Sequence, residues 1–219
     1  EIDRKTVLIS DKSWSASQEG PLGLNDLMQG ECYDARKENI CEWHPVTEKQ
    51  FGYENLVCSN SFDVVEKENY TGKQVVIDFG QNIAGYVKFG FYAQAGQCIT
   101  LYHGECLDQN GNFTQENFQA PEHRVEQCVK YICKEGWNEY KPEKSIFGFR
   151  YIKAITDVKV TEKNFTAIAV YSDMPQTGKF ECGHPGINQL FSNAVWSMKG
   201  NFLEIPTDCP TRERTGFTG

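Results

Sequence analysis

From position 86 onward the chain sorts its side chains in alternation. Val87, Phe89, Phe91 and Ala93 fall on one side, and Tyr86, Lys88, Gly90 and Tyr92 on the other. A repeat of two is the spacing of a strand with two unlike faces. After an expected turn at Ala95-Gly96 the pattern resumes, with Ile99 and Leu101 on one face and His103 and Glu105 further along it. Asp108-Gln109-Asn110-Gly111-Asn112 predicts a reversal, because Asn-Gly accepts positive φ at little cost. Further strands are predicted over 74–79, 125–133, 147–154 and 166–172. Short strands joined by short polar connections predict a mainly β fold, an antiparallel β-sandwich of jelly-roll type over residues 61–175.

The period changes after Met174-Pro175-Gln176-Thr177-Gly178. Ile187, Leu190, Phe191, Ala194, Val195 and Met198 follow at helical steps and form one apolar stripe, with Pro185 suited to the first turn and Gly200 to the end. A single helix of this length does not hold in water by itself. Its stripe needs a partner: the sandwich within this chain, further helices in a longer protein, or a second copy, so a homodimer is one expected partner state. Residues 176–219 are read as the start of an incomplete helical domain, residues 1–45 as a partial N-terminal β-sandwich segment, and 46–60 as a connecting stretch.

Composition narrows the function. The chain has 219 residues, 39% of them hydrophobic, which suffices for a buried core. A formal net charge of −8 repels phosphate backbones, and no basic run offsets it, so nucleic acid is not an expected partner. No apolar run is long enough to cross a membrane. The N-terminus carries no leader pattern, and the expected location is cytoplasmic. Nine cysteines, an odd number with no C-x-x-C pair, read for the most part as small buried hydrophobes in a reducing compartment rather than as a disulfide framework or zinc site. No metal site or cofactor is expected, and the acceptor triplets at Asn69, Asn112 and Asn164 are given no weight.

The densest chemistry lies in TDCPTRERTGFTG, residues 207–219. Pro206, Pro210, Gly216 and Gly219 make it a loop, carrying Asp208 and Glu213 with Arg212 and Arg214. Composition leaves two readings, a solvated surface loop or a site on a rigid scaffold. The segment resembles the active-site motif of the bacterial α-L-rhamnosidases, inverting glycoside hydrolases of family 78, in Asp208, Cys209, Pro210, Arg212, Glu213, Arg214, Gly216 and Gly219. Phe217 stands where that motif has tryptophan. VVIDFGQNIAGYVKFGF (75–91), Tyr102-His103-Gly104-Glu105 and IFGFRYIKAI (146–155) are similar to the sandwich preceding the barrel of that family, and GECYDARKE (30–38) to a strand region of its N-terminal sandwich.

The resemblance implies a sandwich followed by the first helix of a truncated (α/α)6 barrel. It implies hydrolysis of terminal non-reducing α-L-rhamnose with inversion, on a rhamnose-containing glycoside or oligosaccharide. Glu213 would be the general acid, and Asp208, Arg212 and Phe217 would contact substrate. An acid must keep its proton near neutral pH, so a raised pKa at Glu213 is expected, with Arg212 and Arg214 turned towards other carboxylates or carbonyls. The water-activating carboxylate would lie beyond residue 219, so the 219 residues alone are expected to be inactive.

Other residues carry plainer expectations. His103 and Glu105 should pack at a domain junction or face solvent, and Arg150 should form a structural ion pair or backbone contacts. Calcium is conceivable at Glu31, Asp34 and Arg36, as in some N-terminal sandwiches of the family. Trp14, Trp43 and Trp137 are expected in packing rather than on a sugar ring. Two rivals remain: a carbohydrate-binding β-sandwich module without catalysis, and a purely structural adhesion domain.

Overall fold

One long strand organises the molecule. In the computed structural model, which describes residues 10–26, 30–40, 42–49, 64–71, 76–118 and 127–216, strand β6 runs for 18 residues, Val76–Ala93. It pairs with three partners in succession: β10 (Phe147–Thr156) as far as Gly85, β11 (Phe165–Ser172) over Gly85–Phe89, and β9 (Gly136–Tyr140) over Phe89–Ala93. A strand that changes partners along its length curls the sheet. Where β6 and β11 cross, a Cβ on Gly85 would lie 1.9 Å from the Ile168 carbonyl oxygen, so only glycine allows the approach.

The remaining strands extend this frame. In chain order they are β1 (Ser15–Ala16), β2 (Leu22–Asp26), β3 (Gly30–Asp34), β4 (His44–Pro45), β5 (Val64–Thr71), β7 (Cys98–Gly104), β8 (Cys128–Ile132), β12 (Phe202–Leu203) and β13 (Ile205–Pro206). The main sheet runs β2-β3-β8-β7-β10-β6-β11-β5, with β9 attached to β6. The residues β2 and β3 thus form one edge of the same sheet. The predicted alternation holds: Val87, Phe89 and Phe91, then Ile99, Leu101 and His103, all point into the core. One pairing departs from the antiparallel expectation, since β3 runs parallel to β8. The long stretch between them gives the chain room for the crossover that parallel pairing needs.

Phe89, Phe147, Phe149, Phe165, Tyr131 and Ile152 fill the interior. On the opposite face of β6 and β11, Tyr86, Ile168 and Val170 form a second cluster beneath Ile146 and Leu203. All seven described cysteines are free thiols, but only Cys128 and Cys133 are buried as expected; Cys98 is exposed and Cys32, Cys106, Cys182 and Cys209 are partly exposed, since they sit at a strand end, in loops or on the outer side of a strand rather than on inward faces. Trp14, Trp43 and Trp137 are surface residues, contrary to the packing expected of them; Trp137 meets Tyr92 edge-on, with ring centroids 5.1 Å apart. Arg150 pairs with Asp78 through two contacts of 2.8 and 2.9 Å, the structural ion pair expected of it.

Before residue 185 the described helical structure is two short 3-10 turns, and then α1 runs Pro185–Gly200. The helix touches the sandwich through Trp196, whose Nε1 donates to the Asn82 carbonyl at 2.8 Å. Its apolar stripe does not dock there: Ile187, Leu190 and Met198 are 46%, 66% and 54% exposed. No described helix is long and apolar enough to cross a membrane.

Glu31, Asp34 and Arg36 do not converge on one point. Asp34 grips Arg36 through two hydrogen bonds, while the Glu31 carboxylate is buried and accepts from the Tyr140 hydroxyl. Burial raises the Glu31 pKa above 4.5, against the backbone amides of Lys144 and Glu143, with the Glu143 charge adding to the rise. The folded protein therefore binds this proton more tightly than the unfolded chain, and stability declines as pH rises above the ordinary carboxylate value. Glu31→Gln should raise the unfolding free energy at neutral pH and flatten that decline; urea melts of both proteins across the range check it.

Candidate active site

The loop from Thr207 to Gly216 is closed on itself. The two end residues form an isolated β-bridge, the Asp208 amide donates to the Thr215 carbonyl at 3.0 Å, and the Thr215 amide returns to Asp208 Oδ1 at 2.9 Å. Asp208 Oδ1 also accepts from the Cys209 amide at 2.8 Å, so Asp208 acts here as the staple of its own loop.

Within this ring the side chains divide between two directions. Thr211 and Arg214 are each 5% exposed and face the sandwich. Arg212 and Glu213 face outward, with side chains 49% and 40% exposed. The Thr211 hydroxyl donates to Glu105 Oε1 at 2.8 Å, and its carbonyl accepts from the Gln127 amide. Arg214, at φ 51°, donates to the Ile146 carbonyl and lies over the Phe147 ring at 5.5 Å. On β10, a Cβ at Gly148 would sit 2.6 Å from Thr211 Oγ1, so glycine is required for the loop to lie this close.

Arg214 does turn to a carbonyl, but Arg212 does not turn away. Its Nε lies 3.0 and 3.1 Å from the two Glu213 carboxylate oxygens, and the Cys209 thiol donates to Oε2 at 3.3 Å. The Glu213 pKa is accordingly lowered, first by its own backbone amide, then by Arg212 and Cys209, with slight burial opposing them. The expectation of a raised pKa is therefore not met in this arrangement. The reason is geometric: a partly solvated carboxylate with a guanidinium at hand favours its charged form. Phe217 lies outside the described residues.

Asp208, Cys209 and Glu213 place one donor atom each within 4.8 Å of one another, the one such group among the described residues. Asp208 Oδ1 is already engaged with the loop amides, the Cys209 thiol with Glu213, and Glu213 with Arg212, whose guanidinium is the cation beside them.

Under the loop lies a buried polar layer that sequence reasoning reached only in part. His103 is fully buried, stacked on Phe147 with centroids 4.0 Å apart, its Nδ1 3.2 Å from the Gln127 carbonyl. Burial pushes its pKa down to about 3, Arg214 adds to this, and the Gln127 carbonyl opposes it. Burial likewise lowers Arg214 to about 10. His103 and Glu105 do pack at a junction, that between sheet and loop. Gln127 and Gly148 were missed: a lone glutamine in a predicted strand carries no local signal of a distant partner, and Gly148 matters only through a loop 63 positions on.

Comparison with known proteins places this geometry. Residues 68–171 match the family described as bacterial alpha-L-rhamnosidase concanavalin-like domain, and 175–219 the bacterial alpha-L-rhamnosidase 6 hairpin glycosidase domain. An α-L-rhamnosidase of Formosa agariphila is 31% identical over 98% of this chain and 25% of its own length. The crystal structure of an Aspergillus terreus α-L-rhamnosidase superposes with a TM-score of 0.83 at 33% identity, covering 96% of this chain and 26% of that one. A Streptomyces avermitilis α-L-rhamnosidase solved with L-rhamnose gives 0.81 at 30% identity, covering 95% and 22%. The chain thus spans about a quarter of the length of these relatives, and it belongs to the bacterial α-L-rhamnosidase family.

The neutral His103 makes a prediction about acid stability. Its folded pKa is depressed, so its contribution is complete above 6.5 and is lost as pH falls from there towards about 3. In urea melts over that window, His103→Leu should lose less stability than the parent, by up to roughly 4 kcal/mol at the acid end.

Proposed function

We propose that this chain is the part of an inverting α-L-rhamnosidase that carries the proton donor, Glu213. Its substrate would be a terminal non-reducing α-L-rhamnose on a glycoside or oligosaccharide. The observation that supports this reading most is the division of the loop. Thr211 and Arg214 are sunk against the sandwich, and they hold Arg212 and Glu213 facing outward between them.

In this reading Glu213 gives its proton to the glycosidic oxygen as the bond from that oxygen to the anomeric carbon breaks. A water adds to the anomeric carbon from the opposite face and passes its proton to a second carboxylate. Asp208 does not suit that second role. Its donor atom lies within 4.8 Å of that of Glu213, short of the ~6.5–9.5 Å spacing that leaves room for water. Asp208 Oδ2 is free of the loop-stapling bonds to Oδ1 and would accept from a sugar hydroxyl, with Arg212 and, by the resemblance, Phe217 as the other groups that contact substrate. Drawing Arg212 onto sugar hydroxyls would also part it from Glu213, removing one interaction that keeps the acid ionised.

The same geometry supports the proposal that residues 1–219 alone do not turn over, since Glu213 is held ionised and Asp208 cannot serve as its counterpart. A chromogenic α-L-rhamnoside should be cleaved by the full-length gene product and not by the 219-residue chain. Glu213→Gln in the full-length protein should lower kcat by about 10²–10⁴-fold on poor leaving groups. Turnover by the short chain that Glu213→Gln abolishes would overturn the inactivity, and an inactive full-length product would overturn the substrate.

We also propose that the outward stripe of α1 pairs with a second copy of the 219-residue chain, because Ile187, Leu190 and Met198 leave a contiguous apolar strip in water. Sedimentation equilibrium should show a dimer that Leu190→Glu converts to monomer. A monomer at all concentrations would refute the pairing.

A further inference from the structure

The loop that carries Glu213 is held by residues of the sandwich that touch no substrate in the reading above. Glu105, the residue just after β7, receives three donors on one carboxylate: Thr211 Oγ1 at 2.8 Å, Asn82 Nδ2 at 3.2 Å and Asn117 Nδ2 at 3.3 Å. Asn82 in turn offers its carbonyl to Trp196 of α1 at 2.8 Å. One carboxylate thus ties together the loop, the sandwich and, through Asn82, the helix. Gln127 holds the Thr211 carbonyl from the other side, and Gly148 provides the space into which Thr211 and Pro210 settle.

Asn82 reaches this point because of a register slip. Between Phe149 and Tyr151 two steps along β10 match five along β6, from Ile83 to Asp78. Four residues, Phe79-Gly80-Gln81-Asn82, thus stand opposite the single Arg150, three more than a regular ladder holds, and the bulge projects Asn82 towards Glu105 and α1.

We infer that Glu105, Gln127 and Gly148 are positioning residues that fix the direction in which Glu213 delivers its proton, a role that rests on the reading of Glu213 as the general acid. Thr211 and Arg214 bracket Glu213 in sequence. Freeing Thr211 removes one of the two anchors and lets the carboxylate swing while the loop's own closure, at Asp208 and Thr215, stays intact. Proton donation requires the acid within hydrogen-bond reach of the leaving oxygen, so a swing costs rate only where the leaving group needs the proton.

The test compares leaving groups. In the full-length gene product, Glu105→Ala and Gly148→Ala should each lower kcat about tenfold or more on an alkyl or phenyl α-L-rhamnoside, part of the ~10²–10⁴-fold that general acid catalysis supplies. On a dinitrophenyl rhamnoside, whose leaving group departs unaided, the loss should be at most about twofold. Glu105→Gln, which keeps an acceptor for Thr211, should restore most of the activity. In the 219-residue chain, amide exchange over residues 207–216 should quicken in both alanine variants and not elsewhere in the sandwich. Equal losses on the two substrates, or unchanged exchange in the loop, would overturn the inference. Should the full-length product cleave neither substrate, the rhamnoside reading falls, and the exchange comparison alone upholds or overturns the positioning role.

Discussion

A carboxylate on a loop is placed only as well as the loop is attached, and here two side chains make the attachment. Thr211 and Arg214 carry the segment down onto the sandwich, one by hydrogen bonds to Glu105 and Gln127, the other by a carbonyl contact and the Phe147 ring. Everything between them inherits its direction. The closure through Asp208 and Thr215 shapes the loop but does not orient it, because both residues belong to the loop itself. Orientation comes from strands far off in sequence, which is why the sandwich is part of the site rather than a neighbour of it.

Such an attachment has a cost, and the burial pattern shows where it falls. Arg214 lies almost wholly out of water; its Nε and Nη2, His103 Nε2 and Gln127 Oε1 have no hydrogen-bond partner among the described residues. Burying polar groups in this way opposes folding by roughly 1–3 kcal/mol each. The layer offsets this in two ways. His103 stays neutral, so it adds no second positive charge beside the guanidinium, and the aromatic face of Phe147 interacts with both groups. The outer half of the loop works in the opposite sense. Arg212 and Glu213 keep their charges by staying near water and near each other. The loop therefore spends its burial on direction and leaves the chemistry exposed.

How much of this was written locally in the chain depends on the range of each interaction. The strands around Val87–Ala93 and Cys98–Gly104 were legible because a period of two is set by neighbouring residues. The helix was legible from its stripe and from Pro185. The loop was legible as chemistry, since proline, glycine and charge are packed into thirteen residues. The Glu213–Arg212 pairing was not, because it depends on which side of the loop water lies. The parallel pairing of β3 with β8, the triple role of β6 and the contact between Gly148 and Thr211 all join distant segments, and no periodicity encodes them. Glu105 stands between the cases: its place on a strand face pointed to a junction, while its partners lay 23 positions behind it and 106 ahead.

The helix brings these strands of reasoning together. An amphipathic helix beside a sandwich is ordinarily held by its apolar face, yet α1 meets the sheet through Trp196 and the Lys199 ammonium, which lies 5.0 Å from the Tyr171 ring and 5.1 Å from that of Trp196. A polar and aromatic contact of this kind is directional, whereas apolar burial alone would let the helix slide. The Trp196 bond ends on Asn82, whose side chain holds Glu105, whose carboxylate holds Thr211. Helix and loop are therefore registered against the same bulge in β6. That leaves the apolar stripe free to face other partners without disturbing the acid, since nothing that covers Ile187 or Leu190 needs to touch the chain of contacts behind Glu213.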